Sequence, residues 1–222
     1  MDGIVSGRSC KKAGPPMSAS IHIFGSITRG EAALDSDVDV LVVSDAKIVA
    51  GCYPAEWSVY RADVLREKFI RGDLFAWHLA LDARCVYAPD GQGHVKKFGL
   101  PSPYVRVRED ISLFRAMLET SLGELRGGSS SRVFELGICH TALRDIAMSA
   151  SYHLLERPNF SRYSPFHMPV EIGVSREAYE ISVKARHAST RGATSPDDID
   201  FAISEFLDAD LIRWAGAVER AI

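Results

Sequence analysis

The chain has 222 residues, of which 46% are hydrophobic and 25% charged; this mixture excludes a disordered or fibrous polypeptide and suffices for a sizeable core. A formal charge of -3 with no basic block argues against a duplex-binding surface, and no apolar run approaches the length of a membrane span. Cys10, Cys52, Cys85 and Cys139 lie far apart without a CxxC pair, which indicates neither a zinc knuckle nor a disulfide framework and points to a reduced, cytoplasmic setting.

Residues 1–20 are rich in Gly, Ser, Lys and Pro, lack an apolar pattern and read as a disordered tail, with Met17 as an alternative start. Ile21–Phe24 is a short strand that ends at Gly25-Ser26, and a brief helix or turn follows over Ile27–Leu34. Val38–Val43 is a strand rich in β-branched residues, and Tyr53–Tyr60 alternates as a third strand. Helices are expected at Ala62–Arg71 and Leu74–Leu81, then a last strand at Arg84–Tyr87. Beyond Pro101 and Pro103 the period becomes helical. Tyr104–Leu125 is broken by Gly127-Gly128-Ser129-Ser130, and Arg132–Glu156 offers Phe134, Ile138, Leu143, Ile146 and Tyr152 to the core. A Pro- and aromatic-rich loop spans Arg157–Val170, and a helix covers Ser175–Ala188. The last helix opens on the cap Ser195-Pro196-Asp197-Asp198 and runs nearly to Ile222. The fold class is α+β: a small α/β module over 21–100, then an all-α helical bundle over 101–222.

The chemistry concentrates in Phe24-Gly25-Ser26-Ile27-Thr28-Arg29-Gly30 and Ser36-Asp37-Val38-Asp39-Val40-Leu41-Val42-Val43. Gly25-Ser26 turns a strand into a helix. Backbone N–H groups there point outward, glycine admits a close ligand, and Ser26 adds a hydroxyl, which suits phosphate. Asp37 and Asp39 flank one strand residue, so both carboxylates are expected on one face. Paired hard oxygens repel unless a cation joins them, and they suit Mg²⁺. Metals about 3.5–4 Å apart would bind a triphosphate and activate an attacking hydroxyl.

This combination resembles the signature of the DNA polymerase β-like nucleotidyltransferase superfamily: hydrophobic strand, Gly-Ser, Arg-Gly, then Ser-Asp-x-Asp in a second hydrophobic strand. Ten residues separate Ser26 from Asp37, as in the minimal nucleotidyltransferases. The resemblance covers Ile21 to about Val43, and more loosely the module to Tyr87. It implies a mixed sheet with flanking helices, Mg²⁺ dependence, an NTP substrate and transfer of a nucleoside monophosphate. By position, Gly25 and Ser26 would hold the triphosphate, with Ser36 and Arg29 beside them, and Asp37 and Asp39 would bind metal. Arg29 has a second reading, as a surface partner of Asp35 or Glu31.

The sequence departs from the family pattern at the third carboxylate, where Ser58 stands in Trp57-Ser58-Val59-Tyr60. Glu56 is the nearby acid and is either the substitute catalytic and metal-binding carboxylate or an ordinary surface charge. Losing a general base typically lowers a rate by about 10²–10⁴-fold. The resemblance therefore leaves two functional classes. One is an Mg²⁺-dependent transferase moving AMP from ATP to a hydroxyl of a small molecule or a protein. The other is a catalytically degenerate nucleotide-binding or antitoxin-like regulatory protein. Trp77-His78 reads as structural more readily than as a cleft wall. The separations Arg132–His140 and Arg144–His153 miss the ribonuclease spacing of HEPN bundles. The loop Phe160–His167 either closes the bundle end or offers Arg162 and aromatic rings to a ligand.

Overall fold

The computed structural model describes residues 19–32, 37–47 and 51–222, and the chain divides at Pro103/Tyr104 into two compact units. The expected tail lies outside the described residues, except that Ala19 and Ser20 belong to the first strand and are buried there.

The first unit is built on a four-stranded mixed sheet of order β3-β2-β1-β4. β1 (Ala19–Phe24) pairs antiparallel with both β2 (Asp39–Ser44) and β4 (Arg84–Tyr87), while β3 (Ser58–Arg61) runs parallel to β2. The run Leu41-Val42-Val43 is fully buried, the behaviour of an interior strand whose branched side chains pack on both faces. Phe24, Leu41 and Val43 lie on one face and pack with Leu65 and Phe69 of α2 (Ala62–Arg71), Ala76 and Leu79 of α3 (Leu74–Asp82) and Val95 of α4 (His94–Phe98). The short α4 has no counterpart in the sequence reading.

The third strand is shorter than its alternation suggests. Tyr53–Trp57 is a turn rather than a strand, closed by the Trp57 amide donating to the Pro54 carbonyl (3.1 Å) and by stacking of the Tyr53 and Trp57 rings. Pro54 has no amide hydrogen for a ladder, so pairing begins only at Ser58.

At the start of β1 a buried polar network ties sheet to helix. The Ser20 hydroxyl lies 3.0 Å from Nε2 of His22 and 2.7 Å from Nδ1 of His94, and it accepts the His94 amide (3.1 Å). Nε2 of His94 in turn lies 3.1 Å from Oδ2 of Asp45, just past β2. The sequence offers no local pattern for this network, because its members come from three segments.

The second unit is all helical: α5 (Val107–Arg126), α6 (Arg132–Leu154), α7 (Arg176–Arg191), α8 (Ile199–Asp208) and α9 (Leu211–Arg220), with a 3₁₀ turn at Ser164–His167. Ile111, Leu118, Leu122 and Leu125 make the apolar stripe of α5. The central helix is α6, buried almost continuously from Leu136 to Ser151. Its Leu143 and Ile146 are core residues, whereas Phe134, expected inside, is 48% exposed near the helix start. The single helix expected from Ser195 to the C-terminus is two. The first begins at Ile199, not at the Ser195 cap; extended backbone at Ala209 ends it, and the Asp210 side chain accepts the Arg213 amide (3.1 Å) to cap the second. Among the described residues no helix is long and apolar enough to cross a membrane.

Burial, and secondarily the neighbouring His94, lower the pKa of His22 from 6.5 to about 4. Between those values the unfolded chain binds the proton and the folded chain does not, so stability is lost as pH falls from about 6.5 to 4. The full shift corresponds to about 3 kcal/mol. Burial lifts the Asp145 carboxyl to about 6, which acts in the opposite sense, so the informative quantity is a difference between variants. His22→Gln is expected to flatten the pH 7-to-5 slope of urea-unfolding stability relative to wild type. An unchanged slope would show that His22 titrates normally.

Candidate active site

The two halves of the sequence motif meet because of strand register. β1 ends at Phe24, which pairs with Asp39 at the start of β2, so the turn that leaves β1 passes beside the Asp39 carboxylate. Gly25 occupies that turn at φ 80° and ψ −150°, a conformation essentially reserved for glycine. A Cβ there would overlap Oδ2 of Asp39 and stand 3.2 Å from its Cγ. The missing side chain of Gly25 is therefore the space that Asp39 occupies. Thr28 donates its hydroxyl to the Gly25 carbonyl (2.9 Å), and the Glu31 amide donates to the Ser26 carbonyl (2.9 Å), which closes the one-turn helix α1 (Ser26–Arg29).

Asp39 is the first residue of β2, and Asp37 precedes the strand; both are exposed. The expectation that both stand on one strand face is corrected to this extent: only Asp39 is held by the ladder. Ser36 lies outside the described residues. Ser58 is half-buried and pairs with Leu41. Glu56 is exposed in the turn before β3, not on the strand. Among the described residues no three His, Cys, Asp or Glu side chains are grouped closely enough to hold a metal ion. Asp37, Asp39 and Glu56 are accordingly not gathered into one cage.

Arg29 is held by protein groups. Its Nε donates to Glu31 (3.1 Å), and its Nη1 donates to Oδ2 of Asp82 (2.7 Å) and lies 3.3 Å from Nε2 of His78. Asp82 is 5% exposed at the end of α3. Burial raises its pKa, but hydrogen bonds from His78 and Arg29 more than offset this and leave the carboxyl below the usual value. The His78 ring also stands edge-on to Phe24, 5.4 Å between centroids. Arg29 thus ties the turn helix to α3, and the reading of Arg29 as an ion-pair partner of Glu31 describes the structure. Asp82 was not visible as a site residue in the sequence. The one available signal is its i,i+4 spacing from His78 on α3.

A glycine turn at a strand end, an adjacent carboxylate at the next strand's start and an arginine-anchored helix between them form one corner of a small mixed sheet. The nucleotidyltransferase domain family matches residues 7–77. This is the family that the N-terminal module resembles. The match is consistent with the polymerase β-like superfamily and covers the glycine turn, Asp37, Asp39 and β3. No curated protein matches the chain. A nucleotidyltransferase domain supports nucleoside monophosphate transfer in general, and with it an NTP substrate.

Replacing Gly25 tests the corner directly. Gly25→Ala requires a disfavoured backbone conformation and displaces the Asp39 carboxylate, so NTP affinity is expected to fall at least tenfold while the far-UV circular dichroism spectrum is kept. Wild-type affinity in Gly25→Ala would separate the turn from the site.

Proposed function

We propose that the nucleotidyltransferase domain binds ATP and transfers AMP to a hydroxyl, of a small molecule in first place and of a protein side chain in second. The observation that carries this reading is the contact between the Gly25 turn and Asp39, because it puts a phosphate-accommodating backbone and a hard carboxylate within one corner. Gly25 and Ser26 would receive the triphosphate through backbone N–H groups, with Ser36 near the nucleotide and Arg29 fixing the helix that follows.

The residues fit Mg²⁺. That ion is ordinarily held by one or two carboxylates together with substrate phosphates, so Asp37 and Asp39 suffice and a three-residue cage is not required. When bound, Mg²⁺ would neutralise phosphate charge. The acceptor oxygen then attacks the α-phosphorus, the bond to pyrophosphate breaks, and the hydroxyl proton passes to Glu56. Glu56 is favoured for this role because it is the acid closest in sequence to Ser58 and lies exposed in the turn that leads into β3.

A second reading has its own observation. Ser58 occupies the strand position where the family usually has its third carboxylate, and a hydroxyl there does not serve as a base. In that case the domain binds nucleotide without transferring it.

Incubation with labelled ATP, Mg²⁺ and acceptor pools distinguishes the two. In calorimetry, Asp37→Asn/Asp39→Asn is expected to lose most Mg²⁺-dependent ATP affinity with the fold intact. Glu56→Gln is expected to keep ATP binding and to lower transfer by about a hundredfold. Transfer by Glu56→Gln at the wild-type rate places the base elsewhere. ATP binding by wild type without transfer from any NTP establishes the second reading.

A further inference from the structure

The helix α1 that follows the Gly25 turn is weakly secured by its own chemistry. It spans one turn, Ser26–Arg29, and buries none of its side chains. The residue that precedes it is glycine, so no side chain caps it. The Gly30 amide donates to the Ile27 carbonyl (3.2 Å) and the Glu31 amide to the Ser26 carbonyl (2.9 Å), too few bonds to sustain a helix in water. Arg29 supplies a link to another element. Its Nη1 donates to Oδ2 of Asp82 (2.7 Å), the last residue of α3.

The two carboxylates on Arg29 are not equivalent. The Asp82 side chain is 6% exposed and comes from a distant helix, whereas that of Glu31 is 33% exposed and belongs to the same local segment as α1. Glu31 therefore cannot fix α1 against the rest of the unit. Nε2 of His78, one turn before Asp82 on α3, lies 3.3 Å from Oδ2 of Asp82 and 3.3 Å from Nη1 of Arg29, a third partner to the pair. Breaking a buried pair on one side leaves an uncompensated charge and costs more than breaking an exposed one. With two carboxylates on one guanidinium, Arg29 carries no surplus positive charge to a phosphate. Its effect on the corner runs through the backbone: where Arg29 is held, the Gly25-Ser26 backbone one turn away is held with it.

We infer that Asp82 is a positioning residue for triphosphate binding: through Arg29 it holds α1, and with it the Gly25-Ser26 backbone, against α3. The inference rests on the nucleotide site proposed above. It adds a residue that the family match, which ends at residue 77, does not reach.

Two measurements on the full chain test it, one of them without nucleotide. In amide hydrogen exchange, Asp82→Asn is expected to speed exchange at Gly30 and Glu31 about tenfold relative to wild type. In calorimetry with Mg²⁺, it is expected to weaken ATP and inorganic tripolyphosphate by the same factor, about tenfold, because the turn meets phosphate and not the base. Glu31→Gln should weaken both by no more than about threefold. In an Arg29→Gln background, Asp82→Asn should add no further loss of affinity, whereas a merely destabilising effect would add in either background. Thermal melts establish that each variant folds, and if Asp82→Asn does not, Arg29→Gln alone carries both expectations. The inference is overturned by unchanged exchange and affinity in the folded variants, or by a larger loss in Glu31→Gln than in Asp82→Asn. It is also overturned by tighter tripolyphosphate binding in Asp82→Asn, which would show that Asp82 restrains Arg29 from phosphate. Wild type that binds neither ligand rejects the nucleotide site itself, and the positioning role with it, even where exchange is faster in Asp82→Asn.

Discussion

The register of β1 against β2 is the constraint from which the candidate active site follows. Pairing Phe24 with Asp39 places a core aromatic beside the first residue of the next strand, at the sheet end where the chain must turn. Side chains alternate between faces with a period of two, so a slip of one residue would carry Asp39 to the opposite face and Leu41 and Val43 out of the core they share with α2 and α3. Hydrophobic burial therefore fixes the position of a carboxylate that contributes nothing to the core itself. Glycine at position 25 completes the arrangement, because any larger residue would compete with Asp39 for the same volume.

The first unit guards this register at both ends of β1. Beyond its end, Arg29 binds Glu31 and Asp82, which anchors the one-turn helix that a four-residue segment would not sustain by its own hydrogen bonds. At its start, Ser20 joins His22 to His94, and His94 reaches Asp45. Both networks are polar, largely enclosed and built from residues far apart in the chain. Such networks add specificity of arrangement when every member has a partner. The helical unit shows the contrasting case. Its polar groups at the α6–α7 contact include two buried atoms without a hydrogen-bond partner, Nδ1 of His140 and Nε of Arg144.

The third carboxylate shows how sequence alternation and tertiary structure diverge. Tyr53–Tyr60 alternates as a strand would, but Pro54 and the Tyr53–Trp57 stack convert its first half into a turn, leaving Glu56 outside the ladder. Asp37 is likewise before its strand rather than within it. The sheet therefore holds one of these acids, Asp39, in its ladder, while Asp37 and Glu56 lie on connecting segments.

Local signals made much of the chain legible from sequence. The α2 and β4 bounds, the strand that carries Leu41-Val42-Val43, the helical second half and the Gly-Ser to Asp-x-Asp spacing all rest on period, branching and turn chemistry within a few residues. The resemblance of the module to nucleotidyltransferase domains was legible for the same reason, since its motif is short and continuous. Sequence did not reveal what depends on distant partners: the Asp82 and His78 hold on Arg29, the His22–Ser20–His94 network, the exposure of Phe134 and the division of the last helix at Ala209-Asp210. Nor did it reveal that His140 and Arg144 are enclosed with unpartnered atoms, because burial is a property of how α6 and α7 pack. Short-range periodicity chose the elements and the chemistry they carry. Close packing of segments remote in the chain decided which of those groups meet.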